Sequence, residues 1–422
     1  MELNERGANY LYGEQSMTVL GLIPSDWSVT TVGDEFHVQL GKMLDSEKNM
    51  GKPKLFLGNR AVQWGRIDIN DIGEILMSRS DLQRYRLEHG DLLVCEGGEV
   101  GRSAIWRGQL EECYYQKALH RLRTKRGYSH EFMAAVLEQF ARTGKLQNYV
   151  TQTSIAHLPK EKLVALPIPK PASEDEQYRI SQAICDADAL IESLEQLLTK
   201  KRQIKQGAMQ ELLTGKRRLP GFKGRWQSLP LNALAKIQRG ASPRPIDDPI
   251  WFDDSSSVGW VRISDVTQSG IYLHTTTQRL SEAGIRKSRF VRAGNLVMSI
   301  CATVGRPIIT ALDTCIHDGF VVFDALSVDK KFLYYALLSI EDKWSMHGQT
   351  GSQMNLNTGL IKRAAVPVPD DVREQAAIAE VLSDIDADIA ALEARLTKAR
   401  ALKEAMSQAL LTGRIRLVRP AA

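Results

Sequence analysis

The sequence predicts an α+β protein in which two mixed α/β lobes alternate with two long helices, and three observations lead to this prediction. The chain has 422 residues, which is too long for one ordinary hydrophobic core. The tetrapeptide LLTG occurs at 212–215 and again at 410–413, an offset of 198 residues. Two basic segments with strand-like patterns are each followed by an acidic segment with an apolar heptad pattern.

Further landmarks recur in the same order in both halves of the chain. The paired landmarks are Trp27 and Trp226, Val100-Gly101-Arg102 and Val304-Gly305-Arg306, Pro167 and Pro367, and Glu176-Gln177 and Glu374-Gln375. Chance does not easily place so many matches in order, so we interpret the chain as a duplication of one unit. That unit is a basic globular block followed by an acidic segment, and its duplication predicts a pseudo-twofold internal repeat.

The repeat predicts the domain boundaries. The predicted segments are an N-terminal segment at 1–20, a first lobe at 21–172, a central helix at 173–215, a second lobe at 216–371, a C-terminal helix at 372–414 and a tail at 415–422.

The charge distribution separates lobes from helices. The whole chain carries a formal net charge of +5. Residues 21–170 hold 21 Lys/Arg against 18 Asp/Glu, and residues 216–370 hold 20 against 13. The segments 171–215 and 371–413 hold 5 against 8 each. Basic lobes favour an anionic partner, and the acidic segments favour a different one.

The acidic segments predict long helices with a coiled-coil seam. Ser173 is a plausible N-cap and Gly215 a plausible stop for the first. Apolar residues recur in steps of four and three in both segments: Ile180, Ile184, Ala187, Ile191, Leu194 and Leu198 in the first, and Ile378, Leu382, Ile385, Ile389, Leu392 and Leu396 in the second. We predict an antiparallel coiled coil. The alternative is two unrelated helices, each packed on its own domain.

Three lysines fall on the predicted seam. Lys201, Lys205 and Lys403 interrupt the apolar pattern, and the sequence suggests that the neighbouring Ile204 and Leu402 take over the seam there.

The lobes contain short strands and helices. FHVQLGKML, KLFLGNRAVQW, DLLVCEGG, SAIWRG and ALHRLRTK have the pattern of strands. EFMAAVLEQFARTG at 131–144 and KFLYYALLSIEDKW at 331–344 predict equivalent short helices.

The sequence lacks the motifs of common enzymes. We find no GxxxxGK[ST], HExxH or GxSxG, and the five cysteines have no CxxC spacing. We therefore expect a binding protein with no catalytic residues and no metal site. An absence of long apolar segments or a signal peptide predicts a cytoplasmic protein with no membrane partner.

Basic and polar loops in the two lobes are the candidate DNA-binding sites, since Lys and Arg neutralise phosphates while Asn, Gln and Arg read base edges. The alternative is that these are ordinary solvated loops. The polar stretches at 151–157 and 348–357 are further candidates for loops that read bases. The candidates are Lys42, Lys48, Lys52, Lys54, Asn59, Arg60, Gln63 and Arg66 in the first lobe, and Lys236, Arg239, Ser242, Arg244, Arg262, Gln349 and Gln353 in the second.

These features together resemble the DNA-specificity subunit of type I restriction–modification systems. The helix ends near LLTGK-R-RLPGF and the phrases GDLL, VGR, SPRP and VGWVRISDV are similar to that family's wording. The resemblance implies that each lobe is a target-recognition domain that reads one half of a bipartite, asymmetric site in double-stranded DNA. It implies that the helices are a spacer on which two methyltransferase subunits dock, with motor–nuclease subunits joining them.

The resemblance also implies where the cofactors belong. S-adenosylmethionine, ATP and magnesium would be used by the partner subunits, with none bound by this chain, in the cytoplasm of a bacterium or archaeon near its nucleoid. The main alternative is a single-chain DNA methyltransferase or restriction enzyme with its own recognition domains. A third possibility is a coiled-coil adaptor with no role on DNA, which leaves the basic lobes unexplained.

Overall fold

The computed structural model describes residues 15–45, 49–152, 156–345 and 356–417. Its internal contacts divide the chain into two compact units. The first unit comprises Met1–Leu194 and Arg395–Ala422, and the second comprises Glu195–Ala394. Each unit therefore combines one predicted lobe with parts of both long helices.

The first unit contains the five strand segments and the helix that the sequence predicts for the first lobe, together with further short elements. Its elements are β1 Gln15–Thr18, β2 Gly21–Pro24, β3 Ser28–Thr31, α1 Val32–Glu35, β4 Phe36–Leu40, β5 Lys52–Leu57, β6 Val62–Gln63, β7 Arg66–Ile67, β8 Ile72–Met77, α2 Arg79–Arg84, β9 Leu92–Cys95, β10 Ser103–Ile105, β11 Tyr114–Tyr115, β12 Leu119–Thr124, α3 His130–Arg142, β13 Thr151–Gln152, β14 Ala156–His157, α4 Lys160–Val164, β15 Pro167–Lys170 and the first part of α5 Glu174–Leu212.

Two sheets form the centre of this lobe. The strands β10-β9-β12-β4 make an antiparallel sheet, and β11-β5-β8 make a second sheet in which β11 and β5 are parallel. The apolar residues of β9 and β12 pack with those of α3 in one buried cluster that includes Leu92, Leu122, Phe132 and Leu137. This cluster also takes in Ile180 and Ile184 of α5, so the helix is part of the core of its unit.

The second unit repeats this plan. Its elements are β16 Trp226–Pro230, α6 Leu231–Leu234, β17 Lys236–Arg239, β18 Gly259–Val261, α7 Ile263–Gln268, β19 Tyr272–Leu273, β20 Gln278–Arg279, α8 Glu282–Lys287, β21 Arg289–Val291, β22 Leu296–Ser299, β23 Pro307–Thr310, β24 Thr314–Ile316, β25 Phe320–Asp324, α9 Lys330–Ser339, α10 Glu341–Ser345, α11 Thr358–Arg363, β26 Ala365–Pro369 and the first part of α12 Val372–Leu411.

The sheet order confirms the internal repeat. In the second lobe β17-β25-β22-β23 are neighbours in the same antiparallel arrangement as β4-β12-β9-β10 in the first. The parallel pair β24–β18 corresponds to β11–β5. The predicted helix at 131–144 is present as α3, whereas the one at 331–344 is divided into α9 and α10 around Ile340, whose backbone leaves helical geometry.

The apolar face of each long helix is buried along part of its length. Ile180 and Ile184 of α5 are buried in the core of the first lobe, and Ile378 and Leu382 of α12 in the core of the second. Further along the helices, the seam residues Leu194, Leu198 and Leu396 are also buried. Within the second unit, Lys201 pairs with Asp388 and Lys205 with Asp386, so the number falls along α12 as it rises along α5. The two helix segments of that unit are therefore antiparallel.

The prediction that Ile204 and Leu402 replace the seam lysines is wrong. Ile204 is 47% exposed and Leu402 is 65% exposed. The lysines keep their seam positions because acidic partners compensate their charges: Lys205 Nζ lies 2.6 Å from Asp386 Oδ1, and Lys403 Nζ lies 2.6 Å from Asp188 Oδ1. Each lysine is only partly buried and its charge has a carboxylate partner, while its methylene stem still fills the seam. The two pairs are equivalent at the offset of 198 residues.

An arginine after each LLTG motif fixes the start of a long helix. In the first unit Arg416 donates to Glu176 of α5, with 2.9 Å between Nη2 and Oε2, and to Asp26, with 2.8 Å between Nη2 and Oδ2. Trp27 Nε1 donates to Glu176 as well, at 3.0 Å. Glu176 is fully buried, so this group, the first clasp, places a compensated charge inside the unit.

The second unit contains the equivalent arrangement, the second clasp. Arg218 donates to both oxygens of the buried Glu374 at the start of α12, at 2.5 and 2.7 Å, and its guanidinium lies 5.8 Å from the Trp226 ring. The neighbouring Gln375 accepts a hydrogen bond from Asp329 N–H at the start of α9, at 2.8 Å. The repeated Glu-Gln pair therefore joins each long helix to its lobe.

Candidate nucleic-acid interface

Three of the predicted second-lobe residues meet at Asp318. Arg239 Nε donates to the carbonyl oxygen of Asp318 at 2.7 Å, and Ser242 Oγ donates to Asp318 Oδ1 at 2.6 Å. Arg244 Nη2 lies 3.4 Å from Asp318 Oδ2. We call these four residues the Asp318 cluster. Sequence reasoning did not single out Asp318, which lies 76 residues from Ser242 in the chain.

The surroundings of Asp318 keep its carboxylate charged. The Ser242 hydrogen bond lowers the pKa of Asp318, and Arg244 adds to this effect against the opposing effect of burial. The adjacent His317 is neutral, because burial lowers its pKa to about 4, and its Nδ1 accepts the Gly319 N–H at 2.9 Å. This supports a hydrogen-bonding role for His317. The cluster thus presents arginines around one negative charge.

The cluster stands on a backbone framework that both lobes share. In the second lobe Gly240 N–H donates to the carbonyl of Phe320 at 2.9 Å, and in the first lobe Gly41 N–H donates to the carbonyl of Leu119 at 3.1 Å. A Cβ on Gly240 would lie only 2.0 Å from the carbonyl oxygen of His317, and one on Gly41 only 2.3 Å from that of Gln116. Both positions therefore require glycine. We call the glycine and the turn it packs on the corner of each lobe: Gly41 with 116–118, and Gly240 with 317–319.

The first-lobe corner carries different polar residues. Gln116 and the exposed Lys117 occupy the turn, where the second lobe has His317 and Asp318. The backbone of Gly97 forms a β-bridge with His157, which belongs to the polar stretch at 151–157. The neighbouring Glu96 N–H donates to the carbonyl of Ala118 at 2.9 Å. The fold therefore brings His157, at the end of this segment, to the corner.

Several predicted first-lobe residues already have protein partners. Lys42 Nζ lies 2.8 Å from Asp81 Oδ2, and Lys54 forms an ion pair with Glu112. Asn59 Nδ2 donates to the carbonyl of Gly97 at 3.0 Å, so the fold places this residue beside the loop that follows β9.

The remaining first-lobe candidates within the described residues lie at or near the surface. Lys52 and Arg66 are exposed, and the side chain of Arg60 is 87% exposed beside Asp71. Gln63 donates to the carbonyl of Arg60 at 2.6 Å. Lys52, Arg60 and Arg66 are thus the exposed cations among the described first-lobe candidates.

The other second-lobe candidates are separate from the Asp318 cluster. Lys236 is exposed on β17. Arg262 is half-buried, and its Nε donates to Gln278 at 2.6 Å. Lys48, Gln349 and Gln353 lie outside the described residues, as does most of the loop at 348–357.

The described residues contain neither a metal-binding cluster nor a membrane-spanning helix. No group of three or more His, Cys, Asp or Glu in the described part of the chain is arranged to hold a metal ion. No described helix is long and apolar enough to span a membrane.

A comparison with known families decides the assignment. Residues 24–206 and 224–399 both match the type I restriction modification DNA specificity domain. The chain belongs to this family. The resemblance stated from the motifs is confirmed, and the specificity subunit has its two recognition domains in tandem.

Relatives and solved structures agree with the assignment. The chain is 22% identical to the type I restriction enzyme MjaVIII specificity subunit of Methanocaldococcus jannaschii over 94% of both chains. It is 24% identical to the Escherichia coli EcoprrI specificity subunit over 42% of this chain and 45% of that one.

Two solved structures have the same fold. The crystal structure of a type I S subunit from M. genitalium matches with a TM-score of 0.59 and 14% identity, covering 91% of this chain and 96% of that one. A chain from a structure concerning complex assembly and conformational transition of the type I R-M system matches with a TM-score of 0.58 and 18% identity, covering 93% and 99%.

The placement of two lysines in the first lobe leads to a test by salt dependence. We expect Lys52→Ala to lower the slope of log K against log salt by about 0.9, since each neutralised phosphate contributes about that much. Lys54→Ala should change the slope less, because Glu112 already compensates Lys54. Binding to duplex DNA, titrated from low to moderate salt, measures both. Equal slopes for Lys52→Ala and the unaltered protein would place β5 away from the phosphates.

Proposed function

We propose that the protein is the DNA-reading subunit of a type I restriction–modification complex in which each lobe recognises one half of a bipartite, asymmetric site. The observation that carries this proposal is the pair of corners. The two lobes have the same backbone framework at Gly41 and Gly240, but different side chains stand on it. A shared scaffold with different polar groups is what two independent readers of different sequences require.

The long helices are the proposed spacer and docking scaffold. Each unit holds segments of both helices, and a clasp fixes the start of one helix in each unit. Two methyltransferase subunits would dock on the helices and lobes, one for each repeat, and motor–nuclease subunits would join them. This equivalence of the repeats favours two copies of one partner over two different partners.

The catalytic work belongs to the partners in this proposal. S-adenosylmethionine, ATP and magnesium would bind to the methyltransferase and motor–nuclease subunits, while this chain binds none of them. Its own residues would bind phosphates and read bases.

The decisive experiment exchanges a lobe. We expect replacement of residues 21–170 by the equivalent lobe of another specificity subunit to change one half of the methylated sequence and leave the other half intact. Methylation sequencing of cells that express the exchanged chain with the methyltransferase subunits measures both halves.

The control is the purified chain alone with DNA, S-adenosylmethionine, ATP and magnesium, which should leave the DNA unmodified and uncut. A change in both halves, or in neither, would contradict independent reading. Turnover by the purified chain would contradict a purely DNA-reading role.

A further inference from the structure

The guanidinium of Arg244 is held on one side and open on the other. Its side chain is 69% exposed, and Nη2 lies 3.4 Å from Asp318 Oδ2. This is its single hydrogen bond to the protein within the described residues. An arginine has five N–H donors in a planar fork, so the contact with Asp318 leaves most of them facing solvent.

Asp318 is itself fixed from the other side. Its second carboxylate oxygen, Oδ1, accepts Ser242 Oγ at 2.6 Å, and its own N–H is 3.4 Å from Ser242 Oγ. The turn that carries Asp318 is anchored to Gly240 by the corner framework. The one protein contact of the Arg244 fork within the described residues is therefore with a residue whose own position is determined by the backbone.

The fold does not require a negative charge at the turn position of Asp318. Arg244 follows the corner glycine of the second lobe by four residues, and Asp45 follows the corner glycine of the first lobe by four residues. The turn position of Asp318 is occupied by Lys117 in the first lobe. The turn position thus carries opposite charges in the two lobes, which fits a position that determines sequence preference.

We propose that Asp318 is a positioning residue that holds Arg244 so that its fork reads one guanine in the half-site of the second lobe. The inference rests on the proposed function and names the base that this site selects. Guanine presents N7 and O6 to the major groove, and a paired donor fork fits these two acceptors. A fork that is already oriented loses less conformational freedom on binding, which favours the correct base over the others.

The exposed Arg239 completes the cluster but has a different orientation. Its Nε donates to the backbone of Asp318 at 2.7 Å, and Arg289 donates to its carbonyl. Both arginines add positive charge around Arg244, which favours close approach of a phosphate backbone. Neither arginine has its guanidinium on the Asp318 carboxylate in the described structure, so Arg244 is the side chain whose fork that carboxylate holds.

The test compares base preference among variants of the full chain. The unaltered chain and Arg244→Ala, Arg244→Lys and Asp318→Asn variants would each select from a pool of randomised duplexes, and the selected sequences would be read. We expect all three substitutions to relax the same single guanine of one half-site, with a loss of preference of roughly 5- to 150-fold for Arg244→Ala. Arg244→Lys keeps the charge but lacks the fork, so it should relax the base with an unchanged salt slope.

The matched control is Arg286→Ala. Arg286 is an arginine of the same lobe with a 71% exposed side chain, it pairs with Glu282 one helical turn away, and it is not part of the cluster. This control should leave every base preference intact. Thermal unfolding of each variant shows whether it is folded, and Arg244→Lys serves if Arg244→Ala is not.

The possible outcomes separate the inference from the proposed function. If the unaltered chain selects a bipartite sequence and the Arg244 variants select it unchanged, the inference fails while the proposed function stands. Equal weakening on all sequences, with a salt slope lower by about one for Arg244→Ala, would make Arg244 a phosphate contact and also overturn the inference. If the unaltered chain selects no sequence, both are overturned.

Discussion

Arg416→Ala is expected to destabilise the first unit by about 3–5 kcal/mol, because it leaves the buried Glu176 without its cationic partner. The Arg416 side chain is 6% exposed and Glu176 is 0% exposed, so the carboxylate has little solvent contact to compensate the lost ion pair. Trp27 Nε1 would remain as a donor to Glu176 but cannot neutralise its charge. The measurement is chemical denaturation followed by circular dichroism, with the free energy of unfolding compared between variants.

Two further variants identify the cause of this loss. Arg414→Ala removes an exposed arginine two residues away and should change the free energy of unfolding by less than about 0.5 kcal/mol. Adding Glu176→Gln to Arg416→Ala removes the uncompensated charge while an amide oxygen can still accept from Trp27. This double variant should therefore be more stable than Arg416→Ala alone. If it is equally unstable, the loss comes from packing against Trp27 and not from the buried charge.

The helices and the internal repeat could be predicted because their signals are local and periodic. The spacing of Ile180, Ile184 and Leu194 determines a helix face whatever partner covers it, and these residues are buried as expected. The Glu-Gln pair at 176–177 was visible as a repeat, but its function was not. It became clear from Arg416, which lies 240 residues from Glu176.

The sequence predictions were wrong or incomplete at positions where the structure depends on charged residues that are distant in the sequence. Ile204 is the more apolar candidate for the seam, yet Lys205 occupies it because Asp386 lies 2.6 Å away on the other helix. The composition of the loop at 236–245 indicated Arg239 and Arg244, and both residues belong to the candidate site. It could not point to Asp318, since the hydrogen bonds that connect them depend on how the sheet places two remote segments together.

A change in the length of the long helices is expected to change the gap between the two half-sites. We expect insertion of four residues after Thr199 to keep both half-site sequences and to widen the unspecified gap by one to two base pairs. Four residues lengthen an α-helix by about 6 Å, and a duplex advances about 3.4 Å per base pair. The range follows because the insertion lengthens one of two paired helices, so the partner helix shares part of the displacement.

The position and the length of the insertion are set by the seam. Thr199 is exposed, between the buried Leu198 and the seam residue Lys201. Four residues rotate the following seam by about 40°, which a coiled coil absorbs, whereas two residues rotate it by about 200° and turn its apolar face to solvent. The two-residue insertion after Thr199 is therefore the control, and we expect it to unfold at a lower denaturant concentration without a new, defined gap. Methylation sequencing of cells that carry each variant with the methyltransferase subunits gives the gap directly. A four-residue variant that folds and still methylates sites with the original gap would show that the helices do not set the spacing, and the proposed division of work between lobes and helices would then be wrong.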